Sequence, residues 1–288
     1  MTNGNIDTII KAKLYAQNEL KSAGIENFNI DINAALKHFL KKDDIFIATN
    51  RDFALSDEIK EKFINFVNLR KTDTPLAYII GEKEFMSLTF FVDKSTLIPR
   101  PDTEILVEEV IKRCEGKTNI KILDLCTGSG AIGISLANYI KSSYVVCVDK
   151  FCDTLSVAKK NAEHNMVADR CKFVECDVLK ELNSINEKFD VVVSNPPYIK
   201  TKTVSTLDKT VKNFESKSAL DGGEDGLTFY RKITEDVDFI LKKDGLLAFE
   251  IGYDQKTDVI NLLKNSFDNI YAKTDLSGND RAVFATLR

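Results

Sequence analysis

No stretch of this sequence approaches the roughly 18 uninterrupted apolar residues of a membrane-spanning helix. Residues 1–13, MTNGNIDTIIKAK, lack the basic start and long apolar core of a secretory signal. A cytoplasmic protein is the resulting expectation. An excess of charge of one sign is missing too. With 40 Lys+Arg against 44 Asp+Glu the net charge is −4, which speaks against a protein that holds nucleic acid mainly through its phosphates. Histidine is scarce, with only 2 in the chain. His38 and His164 fall on polar or mixed helical patterns and are read as surface or partly buried side chains, not catalysts. The six cysteines lie between Cys114 and Cys176. Cys147/Cys152 and Cys171/Cys176 share a C-x4-C spacing, but Cys147 sits in a strand pattern and no histidine adjoins. They are read as small buried apolar residues, and no metal is expected.

What is present is a chain of 288 residues with 43% apolar content, enough for one large or two ordinary domains. Residues 1–74 read as helices. IDTIIKAKLYAQNELKSAG stops at Gly24, DINAALKHFLKKD has Asp31 as its cap, and LSDEIKEKFINFVNLRKTD has Ser56 as its cap, with acidic residues in the first turn. A small bundle with packing or docking character follows. Residues 75–98 form a linker in which FMSLTFFVD reads as a β-hairpin bridging two domains.

Residues 99–288 alternate strands with helices from Ile120 onward: IKILDL, AIGISLANYI, YVVCVD, TLSVAKKNAEHN, CKFVECD, FDVVVSN, a helix through FYRKITEDVDFILKK, LLAFEIG, a helix through QKTDVINLLKN, and finally NIYAKTDLS and RAVFATLR. The early strands are almost continuously apolar, as in a parallel sheet covered on both faces. The last two follow each other without a helix and predict a closing antiparallel hairpin.

DLCTGSGAIG, residues 124–133, follows the first strand and opens a helix. Gly128, Gly130 and Gly133 fit G-x-G-x-x-G, and Asp149 ends the next strand about 20 residues on, where a carboxylate accepts bonds from ribose hydroxyls. NAD and S-adenosylmethionine both satisfy that motif. Asp124, just before the loop, suits a cationic amino-acid group better than a pyrophosphate. Asp177 ends the third strand near the expected adenine. Three acidic strand ends favour S-adenosylmethionine. SNPPYI then stands at the carboxyl end of the fourth strand. An amide nitrogen is a poor nucleophile because its lone pair is delocalised. Methylating it requires acceptors for its hydrogens, which the Asn195 side chain and the Pro196 carbonyl supply, with Pro197 stiffening the corner and Tyr198 stacking on the planar group. Arg100 is read as orienting the cofactor or an acidic neighbour, or as tying the hairpin to the core. Glu104 and Glu250 are read as structural, and Gly222-Gly223 as a tight connection.

RKTDTPLAYIIGEKEF, TLIPRPDTE, DLCTGSGAIGISLA, SNPPYI, ALDGGEDGLTFYR, EIGYDQ and DLSGNDRAVFA together resemble, in order, the signatures of the HemK/PrmC family, protein-(glutamine-N5) methyltransferases of class 1 peptide chain release factors. The resemblance spans most of the chain. It implies a Rossmann-like class I S-adenosylmethionine-dependent methyltransferase, with a seven-stranded mixed sheet, behind a helical substrate-docking domain. It implies methyl transfer to the glutamine of a Gly-Gly-Gln loop of a class 1 peptide chain release factor. A monomer is expected, and the charge balance and the lack of long apolar runs make neither nucleic acid nor membrane an expected partner. On this likeness the cofactor loop runs through Cys126, Thr127, Gly128, Ser129 and Gly130, with Asp149 on the ribose, Val178 beside the adenine, and Asn195 to Tyr198 around the glutamine amide. Three positions depart from the pattern. Cys126 replaces a usual glycine and fits without strain only if its φ is negative. Ser87 replaces a hairpin glycine, and Val178 stands where relatives often carry an aromatic. The competing readings are a glutamine methyltransferase of a ribosomal protein, an adenine-N6 nucleic-acid methyltransferase sharing NPPY, and an NAD-dependent oxidoreductase.

Overall fold

The computed structural model describes residues 6–288 and divides the chain into two compact units between Gly81 and Glu82. The first is helical. Helix Ile9–Ser22 buries Ile9, Ala12, Ala16 and Leu20, a one-sided stripe. Helix Asp57–Arg70 buries Phe63, Phe66 and Val67, and its cap Ser56 accepts a hydrogen bond from the Ile59 amide. Between them, helix Phe28–Leu40 begins one turn earlier than the sequence suggests. Asp31 is therefore inside the first turn and does not cap it; the carboxylate instead meets Arg70 Nε at 2.8 Å. A short helix, Leu76–Ile80, occupies part of the segment read as linker. These helices share one apolar cluster of their own, including Leu20, Leu36, Phe63 and Phe66.

The second unit opens with strands β1 (Glu82–Phe85) and β2 (Leu88–Phe91), an antiparallel hairpin. Met86 and Ser87 take φ of 50° and 54°, the pair of left-handed residues that a two-residue turn matching strand twist requires. Phe85 and Phe90 enter the apolar core of this unit, so the hairpin is packed into it as a structural part. Seven further strands follow: β3 (Ile120–Leu125), β4 (Ser143–Asp149), β5 (Cys171–Glu175), β6 (Phe189–Ser194), β7 (Leu241–Glu250), β8 (Phe267–Thr274) and β9 (Asp280–Leu287). They form one sheet in the order β5-β4-β3-β6-β7-β9-β8. Strands β5 to β7 run parallel, and β9 lies antiparallel to both β7 and β8. This is a Rossmann-like α/β sheet of mixed type, closed by the hairpin that the last two strands predict.

Helices cover both faces. Adjacent strand residues point to opposite sides: Ile122 joins one apolar cluster and Leu123 the other. That arrangement is why the central strands read as continuous apolar runs. One element differs from the sequence pattern. Leu241–Lys243 continue the preceding helical rhythm, yet they begin β7, where Leu241 pairs with Phe189 and the ladder shifts before Val191↔Leu246. Asp244, at φ 60°, makes the turn that permits the shift. Among the described residues no helix is long and apolar enough to cross a membrane.

Candidate active site

The carboxyl ends of β3, β4, β5 and β6 converge on a cavity of about 480 Å³, within the range of small-ligand sites. Of the residues singled out from the sequence, Cys126, Gly128, Asp149, Asp177, Val178, Asn195 and Pro197 line it. Asp124, Thr127, Ser129, Gly130, Pro196 and Tyr198 are not among its lining residues, and each has a structural reason.

Asp124, the residue before the last of β3, is fully buried. It does not present its carboxylate to the cavity, as expected of a partner for a cationic group. Its Oδ2 instead accepts from Thr127 Oγ1 at 2.6 Å and from the Gly133 amide at 2.9 Å. The turn that leaves β3 and the helix Ala131–Tyr139 that follows are thus tied to one acceptor. Burial pushes the Asp124 carboxyl up to about 7, against the lowering effect of those two bonds. Gly133 is needed for this approach: a Cβ there would stand 2.7 Å from Cys147 Sγ and 2.9 Å from Asp124 Oδ2. Thr127 and Ser129 turn their side chains inward, and the Ser129 carbonyl accepts from the buried Asn161 side chain at 2.8 Å. Asn161 also exchanges hydrogen bonds with the Phe91 backbone, at 2.7 and 3.0 Å. One side chain therefore joins hairpin and loop. Gly130 caps the helix.

Two loop residues face the cavity. Gly128 donates its amide to Asp149 Oδ2 at 3.0 Å, while Asp149 Oδ1 accepts from the Phe151 amide at 3.2 Å. Burial raises the Asp149 pKa despite these bonds. Cys126 has φ 60°, so the condition for an unstrained fit at this position is not met. Burial also raises its thiol pKa, well above the ordinary value, with Asp149 adding to the effect.

At the end of β5, Asp177 borders the cavity with its carboxylate already engaged. Oδ1 accepts from the Leu179 amide at 3.1 Å and Oδ2 meets Lys150 at 3.1 Å. Partial burial opposes ionisation there, but these contacts outweigh it and the pKa is lowered. Val178 is buried and supplies no ring. Larger apolar side chains lining the same cavity are Leu97, Phe151, Leu179 and Phe229. Sequence reasoning missed these four. Leu97 lay within the TLIPRPDTE motif and Phe151 two residues past Asp149, so proximity to motifs was the available signal.

The elbow at the end of β6 holds Asn195 at the cavity rim and buries Pro196. Asn195 Nδ2 donates to Thr103 Oγ1 at 3.4 Å. Among the described residues, no donor reaches Asn195 Oδ1 or the Pro196 carbonyl. Tyr198 does not lie open for stacking. Its hydroxyl donates to Glu250 Oε1 at 3.3 Å, and burial beside that carboxylate raises the phenol pKa. Glu250 is almost fully buried, and burial pushes its carboxyl up to about 7. Arg100 forms an ion pair with the buried Glu215, an acidic neighbour and not a cavity contact. Glu104 Oε1 accepts from the Met86 amide at 2.6 Å.

A family model described as the PrmC N-terminal domain matches residues 12–81, and one described as the methyltransferase small domain matches residues 100–224. The release factor glutamine methyltransferase of Clostridium acetobutylicum is 43% identical over 97% of this chain and 97% of its own. That of Clostridium botulinum is 41% identical over 92% and 94%, and that of Bacillus cereus 36% identical over 96% and 99%. Among solved structures, the hMettl16 catalytic domain in complex with the MAT2A 3′UTR hairpin 6 aligns with a TM-score of 0.56 at 14% identity. It covers 82% of this chain and 85% of that one, a likeness of fold alone.

Proposed function

The chain belongs to the release factor glutamine methyltransferase family, and on that premise we propose that it methylates the side-chain amide nitrogen (N5) of the glutamine in the Gly-Gly-Gln motif of class 1 peptide chain release factors, using S-adenosylmethionine. One observation carries the reading at residue level. Among the described residues, Asn195 Oδ1 and the carbonyl of the next residue, Pro196, have no internal donor, and Asn195 lines the cavity together with Gly128 and Asp149. A primary carboxamide brings two N–H donors to such a pair.

S-adenosylmethionine supplies a methyl carbon activated by a sulfonium. The residues fit such a ligand. Asp149 offers carboxylate oxygens at a strand end for a ribose diol, and Gly128 leaves the backbone approachable. Val178 and Leu179 give an apolar bed for a base. Asn195 and Pro196 hold both amide hydrogens, draw density toward the nitrogen and fix the direction of its attack. With the cofactor bound, the nitrogen would gain the methyl carbon as the bond from that carbon to sulfur breaks, the thioether S-adenosyl-L-homocysteine would leave, and the nitrogen would give up one proton to solvent, so no covalent enzyme intermediate is needed. The contribution of the chain is positioning, worth up to roughly 7–11 kcal/mol for aligned reactants. A cytoplasmic location agrees with this substrate.

The test is incubation with S-adenosylmethionine and a class 1 release factor, followed by intact mass measurement and mapping. The expected product carries one added methyl on the Gly-Gly-Gln glutamine. A factor left unmodified, while a ribosomal protein or a nucleic acid takes the methyl group, would overturn the reading. Asn195→Ala should bind the cofactor normally in a titration and lose most turnover. It leaves a substrate N–H unpaired, at about 1–3 kcal/mol, in addition to misorienting it.

A further inference from the structure

A carboxamide has an accepting end and a donating end, and only the accepting end of Asn195 is useful to an amide substrate. Something must keep the side chain from presenting its NH₂ instead. Asn195 itself does not: its two ends are nearly the same size and interchange by a half-turn.

The structure shows what discriminates them. Thr103 closes the turn Pro101–Thr103 ahead of helix Glu104–Arg113 and is buried. Its Oγ1 lies 2.5 Å from Glu250 Oε2 and 3.4 Å from Asn195 Nδ2. A hydroxyl has one hydrogen to give. An ionised Glu250 is acceptor only, so that hydrogen goes to Glu250. The oxygen of Thr103 is left to accept, and it accepts from whichever end of Asn195 carries hydrogens. The NH₂ end is drawn inward and Oδ1 is turned out. The second oxygen of the same carboxylate takes the Tyr198 hydroxyl at 3.3 Å, and the backbone carbonyl of Glu250 takes the buried Tyr230 hydroxyl at 2.8 Å. One acid at the end of β7 therefore polarises contacts on both sides of the elbow.

We infer that Thr103 and Glu250 are positioning residues that set the polarity of the Asn195 carboxamide, so that its oxygen faces the substrate amide. The inference rests on the proposed role of Asn195 in holding that amide. It adds two residues that touch neither substrate nor cofactor in that scheme, and it assigns direction to a hydrogen-bond chain running from β7 through the turn at Thr103 to β6.

The chain has a consequence in pH. If Glu250 takes up a proton, it becomes a donor to Thr103, the Thr103 hydrogen passes to Asn195, and the carboxamide turns over. The charged and titratable groups facing Glu250 are Tyr198 from the elbow, Asp102 from the turn and Arg281 from β9, with Tyr230 behind it and Asp275 paired to Arg281. Burial is the largest influence among them and favours the proton; Thr103, Arg281 and Tyr198 oppose it. Turnover should fall as pH drops through this titration.

Variants of the whole chain decide the matter: Thr103→Val, which removes the hydroxyl and keeps the shape, Thr103→Ser, which restores it, Glu250→Gln, and Asn195→Ala with and without Thr103→Val. Thr103→Val should lower kcat on release factor roughly tenfold or more, with cofactor affinity and KM close to the parent. Thr103→Ser should recover most of the loss. Asn195→Ala combined with Thr103→Val should be no slower than Asn195→Ala alone, because the hydroxyl acts through the amide. Glu250→Gln should abolish the acid limb of the kcat profile. A second measurement is independent of turnover: the ¹⁵N-resolved side-chain NH₂ signals of Asn195 should shift, and exchange faster, in Thr103→Val. Parent-like kcat in Thr103→Val, a loss that serine does not repair, or additive losses in the double variant would each overturn the inference. If the parent enzyme does not methylate release factor at all, the functional reading fails, and the NH₂ signals alone decide: a shift supports the Thr103–Asn195 contact, and no shift overturns it.

Discussion

Cys126 carries the conflict between local preference and the fold. A side chain at φ 60° costs roughly 1–2 kcal/mol relative to the ordinary regions. The turn leaves little choice: the Thr127 amide must reach the Val148 carbonyl at 2.9 Å and the Gly130 amide the Thr127 carbonyl at 2.9 Å. Glycine would remove the strain, but it would free the unfolded chain, an effect of about 0.5–1 kcal/mol in the opposite direction, and give up the contact of the thiol with its apolar cluster. The two sides nearly cancel. Cys126→Gly should therefore stay within about 1 kcal/mol of the parent in denaturant unfolding, while the β-branched Cys126→Val should lose about 2 kcal/mol or more. A glycine variant weaker than the valine variant would show that the left-handed strain is not what limits this position.

At the scale of elements, the rigidity of the elbow comes from a partner distant in sequence. Residues 198–201 are flanked by the segment 220–226. The Ile199 amide donates to the Leu220 carbonyl at 3.0 Å, the Gly222 amide to the Ile199 carbonyl at 2.8 Å, and the Thr201 amide to the Gly223 carbonyl at 2.9 Å. Gln255 Nε2 then bonds both the Tyr198 carbonyl, at 3.0 Å, and the Gly226 carbonyl, at 3.2 Å. Gly226 has φ 77°, and a Cβ there would stand 2.3 Å from the Tyr198 carbonyl oxygen and 2.7 Å from Gln255 Nε2. Neither neighbour is the loose end of an exposed chain. Gly226→Ala should cost about 1–3 kcal/mol in stability and reduce methyl transfer more than cofactor binding, since the displaced atoms belong to the elbow. Equal effects on binding and turnover would contradict that division.

These two scales mark how far the sequence was legible. The strand–loop–helix at Asp124–Gly133 and the placement of NPPY at a strand end followed from hydrophobic period and glycine spacing. So did the closing hairpin, because strands buried on both faces announce themselves. The orientation of Asp124, Thr127, Ser129 and Tyr198 did not follow, because a polar residue beside a loop serves either a ligand or the loop itself, and the choice depends on which donors the folded backbone presents. The pairing of the elbow with residues 220–226 was equally hidden, since the connecting stretch carries no period. Leu241–Lys243 failed for a third reason: strand pairing with Phe189 outweighed a helical rhythm of only a few residues.

At the scale of the whole molecule, the two units have separate cores. The apolar cluster of the first comprises residues between Ile6 and Ile79, and the two clusters of the second lie between Phe85 and Leu287. Every residue lining the cavity, from Lys94 to Phe229, belongs to the second unit. A unit with its own core and a complete site has what independent folding requires. A fragment starting at Glu82 should therefore unfold cooperatively and bind S-adenosylmethionine with an affinity close to that of the full chain. In the proposed division of labour the helical unit docks the protein substrate and contributes nothing to the chemistry. The fragment should then match the full chain in kcat on a short Gly-Gly-Gln peptide and fall behind it in kcat/KM on an intact release factor. Equal efficiency on the intact factor would remove the docking role from the helical unit. Loss of cofactor binding would show that the second unit depends on the first for its fold, in spite of its separate core.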